Sequence, residues 1–161
     1  TQLIFMRLTV IADTSAVLSL ALSGLFKLCQ KHFRIIIGER IAEELKEISS
    51  SDDVLGKAAK EVLEEIEITS TGKKISRGED EALKLLEETR ADLLISDDID
   101  FVKKYRKNEK ISFSVILFGI LLERKIITKR DFLNAVNVMF EKREWEENLI
   151  YLAAKSILEE E

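Results

Sequence analysis

Apolar residues along the chain switch between two spacings. Short β-rich runs alternate with longer stretches in which apolar positions recur every three or four residues. Leu8–Ala12 (LTVIA) and Phe33–Ile37 (FRIII) read as buried strands. Leu93–Ile95 reads as a third, and Ile111–Phe113 as a last one. Ile66–Thr69 reads as a short edge strand. Helical spacing predicts a helix over Ala16–Cys29 with a break near Gly24. It predicts others over 39–48 (Ile41, Leu45, Ile48), Val54–Ile66, Glu79–Thr89 and 98–107 (Phe101, Val102, Tyr105). Ser49–Asp53 and Thr71–Gly78 read as loops. The tail is helical, over about 114–125, 129–143 and 147–160. Strands alternating with helices predict an α/β fold with a mostly parallel sheet, whose ligands bind at the carboxyl ends of strands. The pattern forms one domain over 1–161, with a core of about 8–130 and C-terminal helices of about 129–160.

The same spacing shows which acidic residues share an apolar face. Glu44 lies three residues after Ile41 and four before Ile48, so it joins their stripe, whereas Glu43 and Glu47 point away. Glu79 shares a face with Ala82, Leu83 and Leu86, and Asp80 and Glu81 do not. Asp98 shares a face with Phe101, Val102 and Tyr105, and Asp97 and Asp100 do not. Asp13 ends the first strand. Asp13, Glu79 and Asp98 stand where a carboxylate also caps a helix, an alternative that Glu44 lacks. Four converging carboxylates repel one another unless a cation sits among them. An all-oxygen set suits Mg²⁺ or Mn²⁺ rather than Zn²⁺. Such metals most often serve displacement at phosphorus.

Composition narrows the chemistry. Of 161 residues one is cysteine, one histidine and none proline. Cys29 alone makes no disulfide framework, and His32 alone makes no histidine-pair metal site. Both read as structural. There is no Walker A loop and no G-x-S-x-G elbow. The longest apolar run, Val115–Leu122, is too short to span a bilayer. Leu3–Met6 shows neither a basic start nor a cleavage site, so the expectation is a cytoplasmic protein with no membrane partner. The net charge of −5 argues at first against nucleic acid. It is uneven: residues 43–101 carry 18 acidic against 8 basic side chains, and residues 102–131 carry 9 basic against 3 acidic. Lys103, Lys104, Arg106, Lys107 and Lys110 in that basic stretch are candidates for a phosphate backbone, or simply a solvated face.

Three segments carry a family resemblance. VIADTSAV (Val10–Val17) is a strand ending in Asp-Thr-Ser. IIIGERIAEEL (Ile35–Leu45) sets Glu44 before a leucine. GEDEALKLLEETRADLLISDD (Gly78–Asp98) places Glu79 early and Asp98 late. Together they resemble the PIN-domain family of metal-dependent nucleases, which includes the VapC-type toxin ribonucleases, and in particular an uncharacterised prokaryotic subgroup. The tail from Gly119 is similar to that subgroup as well. The resemblance departs at Gly38, where the family often has proline, and at Glu79, where many members have aspartate. It implies a three-layer α/β/α fold with a helical C-terminal extension. It also implies Mg²⁺ or Mn²⁺ held by Asp13, Glu44, Glu79 and Asp98, and hydrolysis of RNA. Asp97, Asp100, Thr14, Ser15 and Ser96 are candidates to support those ligands through hydrogen bonds. Many toxin members of the family form homodimers and pair with an antitoxin protein, so the resemblance makes both candidate partners. Two other readings stand beside this one. One is a non-catalytic acidic α/β binding module. The other is a Mg²⁺-dependent phosphatase of the haloacid dehalogenase class, which needs a second aspartate where Ser15 stands.

Overall fold

The structure, a computed structural model, describes residues 7–72 and 77–161. Leu3–Met6 and residues 73–76 of the Thr71–Gly78 loop lie outside the described residues. The first half runs β1 (Thr9–Ala12), α1 (Thr14–Ser23), α2 (Phe26–His32), β2 (Arg34–Gly38), α3 (Glu39–Ser49), α4 (Val54–Glu65) and β3 (Glu67–Thr69). The second runs α5 (Gly78–Glu88), β4 (Leu93–Ile95), α6 (Ile99–Lys104), β5 (Ile111–Ser112), α7 (Val115–Glu123), α8 (Lys129–Lys142) and α9 (Leu149–Glu160).

The expected elements are present, with boundaries moved by up to three residues. The long first helix divides at Gly24, whose φ of 84° is left-handed, so α1 stops there and α2 restarts two residues on. Asp13 opens α1 three residues before the expected start, because its carboxylate caps the helix. Phe33 closes α2 rather than opening β2, its N–H bonded to the Cys29 carbonyl.

The five strands are all parallel, in the order β3-β2-β1-β4-β5. β1 is central, with Val10 opposite both Ile35 and Leu93. From β1 the chain builds outward through β2 and β3, then returns to lay β4 against the other side of β1. The carboxyl ends of β1 and β4 therefore flank the point where the winding reverses, the crevice in which open α/β sheets hold ligands.

Alternate strand residues feed two cores. Val10, Ala12, Ile35, Ile37 and Ile95 face the larger one, which takes in α1, α3, α4 and the C-terminal helices. Ile11, Ile36 and Leu94 face a smaller one covered by α5 and α6 through Ala82, Leu85, Leu86 and Phe101. The result is a three-layer α/β/α arrangement. Phe113, Leu117 and Leu121 are buried in the larger core. Cys29 is fully buried in the larger core. Trp145 packs edge-on against Phe140 in the turn between α8 and α9. Among the described residues, no helix is long and apolar enough to cross a membrane.

Candidate active site

β1 ends at Ala12, and the next residue caps α1. Asp13 Oδ1 accepts hydrogen bonds from the Ala16 N–H at 2.9 Å and the Ser15 hydroxyl at 2.8 Å. Its Oδ2 accepts from the Ser96 hydroxyl. Ser96 stands at the matching place after β4, because Ala12 and Ile95 are in register. The Ser96 oxygen in turn accepts the Asp98 N–H at 3.1 Å, and Ser15 Oγ accepts the Asp97 N–H at 2.9 Å. The two strand ends are thus laced together by hydroxyls, with Asp13 at the centre. Burial pushes the Asp13 carboxyl up to about 6, against the lowering effect of its three hydrogen bonds.

Two helices bring further carboxylates to the same place. Glu44 on α3 accepts a hydrogen bond from the Thr14 hydroxyl, and Arg40 one turn earlier holds its Nε 3.9 Å from Glu44 Oε1. Glu79 stands in the first turn of α5, its Oε1 3.9 Å from Lys104 Nζ on α6. Asp98 caps α6, accepting the Phe101 N–H at 3.2 Å. Asp13, Glu44, Glu79 and Asp98 line one open cavity of about 210 Å³, together with Thr14, Ser15, Ile41, Gly78 and Phe101. The start of α5 comes close to α3 at Gly78: a Cβ there would lie 2.6 Å from Ile41 Cδ1 and 3.1 Å from Glu44 Oε1, so the tips of those side chains would have to shift.

The other sequence candidates are placed unevenly. Asp97 is buried, and its carboxylate accepts the Ser114 N–H at 2.9 Å and the Ser114 hydroxyl at 2.6 Å. It anchors the start of α7 and does not line the cavity. Burial raises its carboxyl above the ordinary range. The half-buried guanidinium of Arg143, over the Trp145 ring at 4.5 Å, exerts an opposing pull. Asp100 is exposed on α6 and lies outside the cavity. Lys103, Lys104, Arg106 and Lys107 are all exposed. Lys104, Arg106 and Lys107 line a separate hollow of about 410 Å³ with Tyr105 and Asn108.

Asp97 precedes α6, so helical phase does not apply to it. One reading of helical phase is corrected. Glu81 is buried, although the stripe Ala82, Leu83, Leu86 set it aside. The buried face of α5 is Gly78, Glu81, Ala82, Leu85 and Leu86, and Leu83 is half-buried. The Glu81 carboxylate accepts the N–H groups of Arg40 and Ile41, at 2.8 and 3.2 Å. A sequence signal for it existed: Gly38 precedes α3 with no side chain to cap it, so an acceptor must come from elsewhere.

A family model described as a PIN domain matches residues 9–160. The chain belongs to the PIN-domain family. That match takes in both strand ends, both glutamates and the C-terminal helices. PIN domains are typically nucleases and generally use divalent metals, which implies a nucleic-acid substrate. No curated protein matches the chain. In this PIN domain the cavity sits at the reversal point of the sheet, where the fold places ligands.

Proposed function

We propose that the protein is a Mg²⁺- or Mn²⁺-dependent endoribonuclease that hydrolyses RNA phosphodiester bonds. The observation that carries this reading is the single cavity into which four elements, the ends of β1 and β4 and the helices α3 and α5, deliver Asp13, Asp98, Glu44 and Glu79. The donor set fits the cation: it is all carboxylate, with no cysteine or histidine among the lining residues. Among the described residues no three such side chains stand close enough together to hold a metal ion by themselves. Mg²⁺ does not ask for three, since it keeps several waters and takes one or two carboxylates plus substrate phosphate. When bound, the cation would polarise the phosphate and make its water a better nucleophile.

The remaining work falls to the chain. Ser15 and Ser96 hold Asp13 in one orientation, and Thr14 does the same for Glu44. One carboxylate orients the attacking water. Lys104, beside Glu79, leads from the cavity to the basic end of α6, where Lys103, Arg106 and Lys107 would follow the RNA backbone. The toxin-type form of this function, with an antitoxin partner and a homodimer, is the more specific version that the resemblance adds.

The test is a Mn²⁺ thermal-shift titration of the wild type beside Asp98→Asn, run with an RNA cleavage assay. Metal stabilises only the folded state that binds it. The wild type is expected to shift upward and to cut RNA in a chelator-sensitive way, and the variant to lose both. Equal shifts in the two proteins would sink the metal assignment. Chelator-insensitive behaviour would favour a binding module.

A further inference from the structure

Helix α3 begins without a cap of its own. Its N-cap, Gly38, has no side chain, and the acceptor for the N–H groups of Arg40 and Ile41 is the Glu81 carboxylate from α5. The two oxygens are used separately, one per N–H, in the way a capping side chain would use them. Glu81 also takes the space that Gly38 leaves. A Cβ on Gly38 would lie 2.0 Å from Glu81 Cδ, and its three nearest atoms would all belong to Glu81. On the other side of the contact, Gly78 lets the start of α5 approach Ile41 and Glu44. The α3 turn that Glu81 grips, Arg40–Ile41, is the turn that leads to Glu44. The α5 turn that supplies Glu81 also supplies Glu79.

We propose that Glu81 is a positioning residue. By capping α3 from α5, it fixes how far apart Glu44 and Glu79 stand across the cavity. This rests on the metal reading of those two carboxylates. A cap supplied from within α3 would stabilise that helix as well, but would leave α5 free to shift. The two roles can therefore be separated by moving the cap. Gly38 has φ −82° and ψ 170°, extended backbone that any residue adopts and that suits a serine N-cap.

The experiment compares wild type, Glu81→Ala, the double variant Gly38→Ser/Glu81→Ala, and Glu81→Gln. The readouts are thermal midpoint and Mn²⁺ affinity, the latter from loss of the free Mn²⁺ resonance signal well below each midpoint. Glu81→Ala is expected to melt earlier and to bind Mn²⁺ roughly 10- to 100-fold more weakly, the cost of losing a group that orients metal ligands. The double variant is expected to regain most of the midpoint and none of the affinity. Wild-type Mn²⁺ affinity in the double variant overturns the proposal and leaves Glu81 a cap only. Glu81→Gln keeps the length and one acceptor oxygen. It decides the matter if alanine at 81 prevents folding: a severalfold loss of affinity supports the proposal, and an unchanged affinity overturns it. A wild type that binds no Mn²⁺ overturns the metal reading and this proposal with it, an outcome distinct from the others.

Discussion

Asp13→Asn removes the most strongly held carboxylate of the cavity while keeping its shape. The asparagine oxygen still accepts from Ser15 and Ala16, and asparagine caps helices about as well as aspartate. Only the Ser96 bond changes sense, at a pH-independent cost of about 1 kcal/mol. The larger effect is the charge. Burial raises the Asp13 carboxyl from 3.8 to about 6 in the folded state. The folded protein therefore holds a proton that the unfolded chain releases between those values. Stability from this group is fully present below the unfolded value and is lost as pH rises through the folded one. At 1.36 kcal/mol per unit the whole loss is about 3 kcal/mol. Roughly 2 kcal/mol of it falls between about pH 4 and pH 7.5. Asparagine has no such loss. Urea unfolding of both proteins in chelator should show the variant gaining on the wild type by that amount across this range. In a chain of this length the relative melting shift is about 4–8 °C. Glu81, also raised by burial, titrates in both proteins and cancels in the difference, whereas Asp97, whose charge adds to the rise at Asp13, cancels only in part. A wild-type-minus-variant difference that stays flat with pH would refute the buried-charge argument. Added Mn²⁺ should then raise the wild type at neutral pH and leave the variant where it was.

Three further outcomes are expected. Ser114→Ala strips the 2.6 Å hydroxyl bond from the buried Asp97 carboxylate and should cost about 1–3 kcal/mol in denaturant unfolding, because that carboxylate cannot turn to water. Gly24→Ala forces a Cβ into left-handed backbone at the α1–α2 break and should cost about 1 kcal/mol, with Gly24→Asn losing less. Neutralising Lys103, Lys104, Arg106 and Lys107 together should weaken RNA binding and flatten its salt dependence by about one unit of slope per lost phosphate contact, read by binding titrations at several salt concentrations. An unchanged slope would show that the basic end of α6 is only a solvated face.

The parts of the site legible in the sequence were those governed by local periodicity. Asp13 follows β1 directly and Asp98 comes three residues after β4, so an acid close behind a buried run marks them. Glu44 was legible because Ile41, Leu45 and Ile48 fix the phase of α3, and Ile41 and Leu45 are indeed buried. Glu81 was not, because the burial of α5 is set by the β2–α3 junction packed against it, through Gly38, and a distant contact leaves no mark on local spacing. Asp97 was named as a supporting residue, but its burial against Ser114 was not legible, for a related reason. Its partner Ser114 lies at the start of α7, and the pairing exists only once β4 and β5 are adjacent. The strand order was likewise beyond reach of periodicity. Alternating β and α segments predict a parallel sheet and leave open on which side of β1 each strand returns.

The single thiol of the chain gives the folded protein a gauge of its own opening. Cys29 is fully buried, and desolvation pushes its thiol far above the ordinary range, so a thiol reagent meets no thiolate in the native state. Labelling can proceed only when the core around Cys29 comes apart. Its rate then counts those excursions, without dye or tag. A ligand that settles into the cavity, which Cys29 does not line, would announce itself there as a slower reaction, because whatever binds the native state makes each opening rarer.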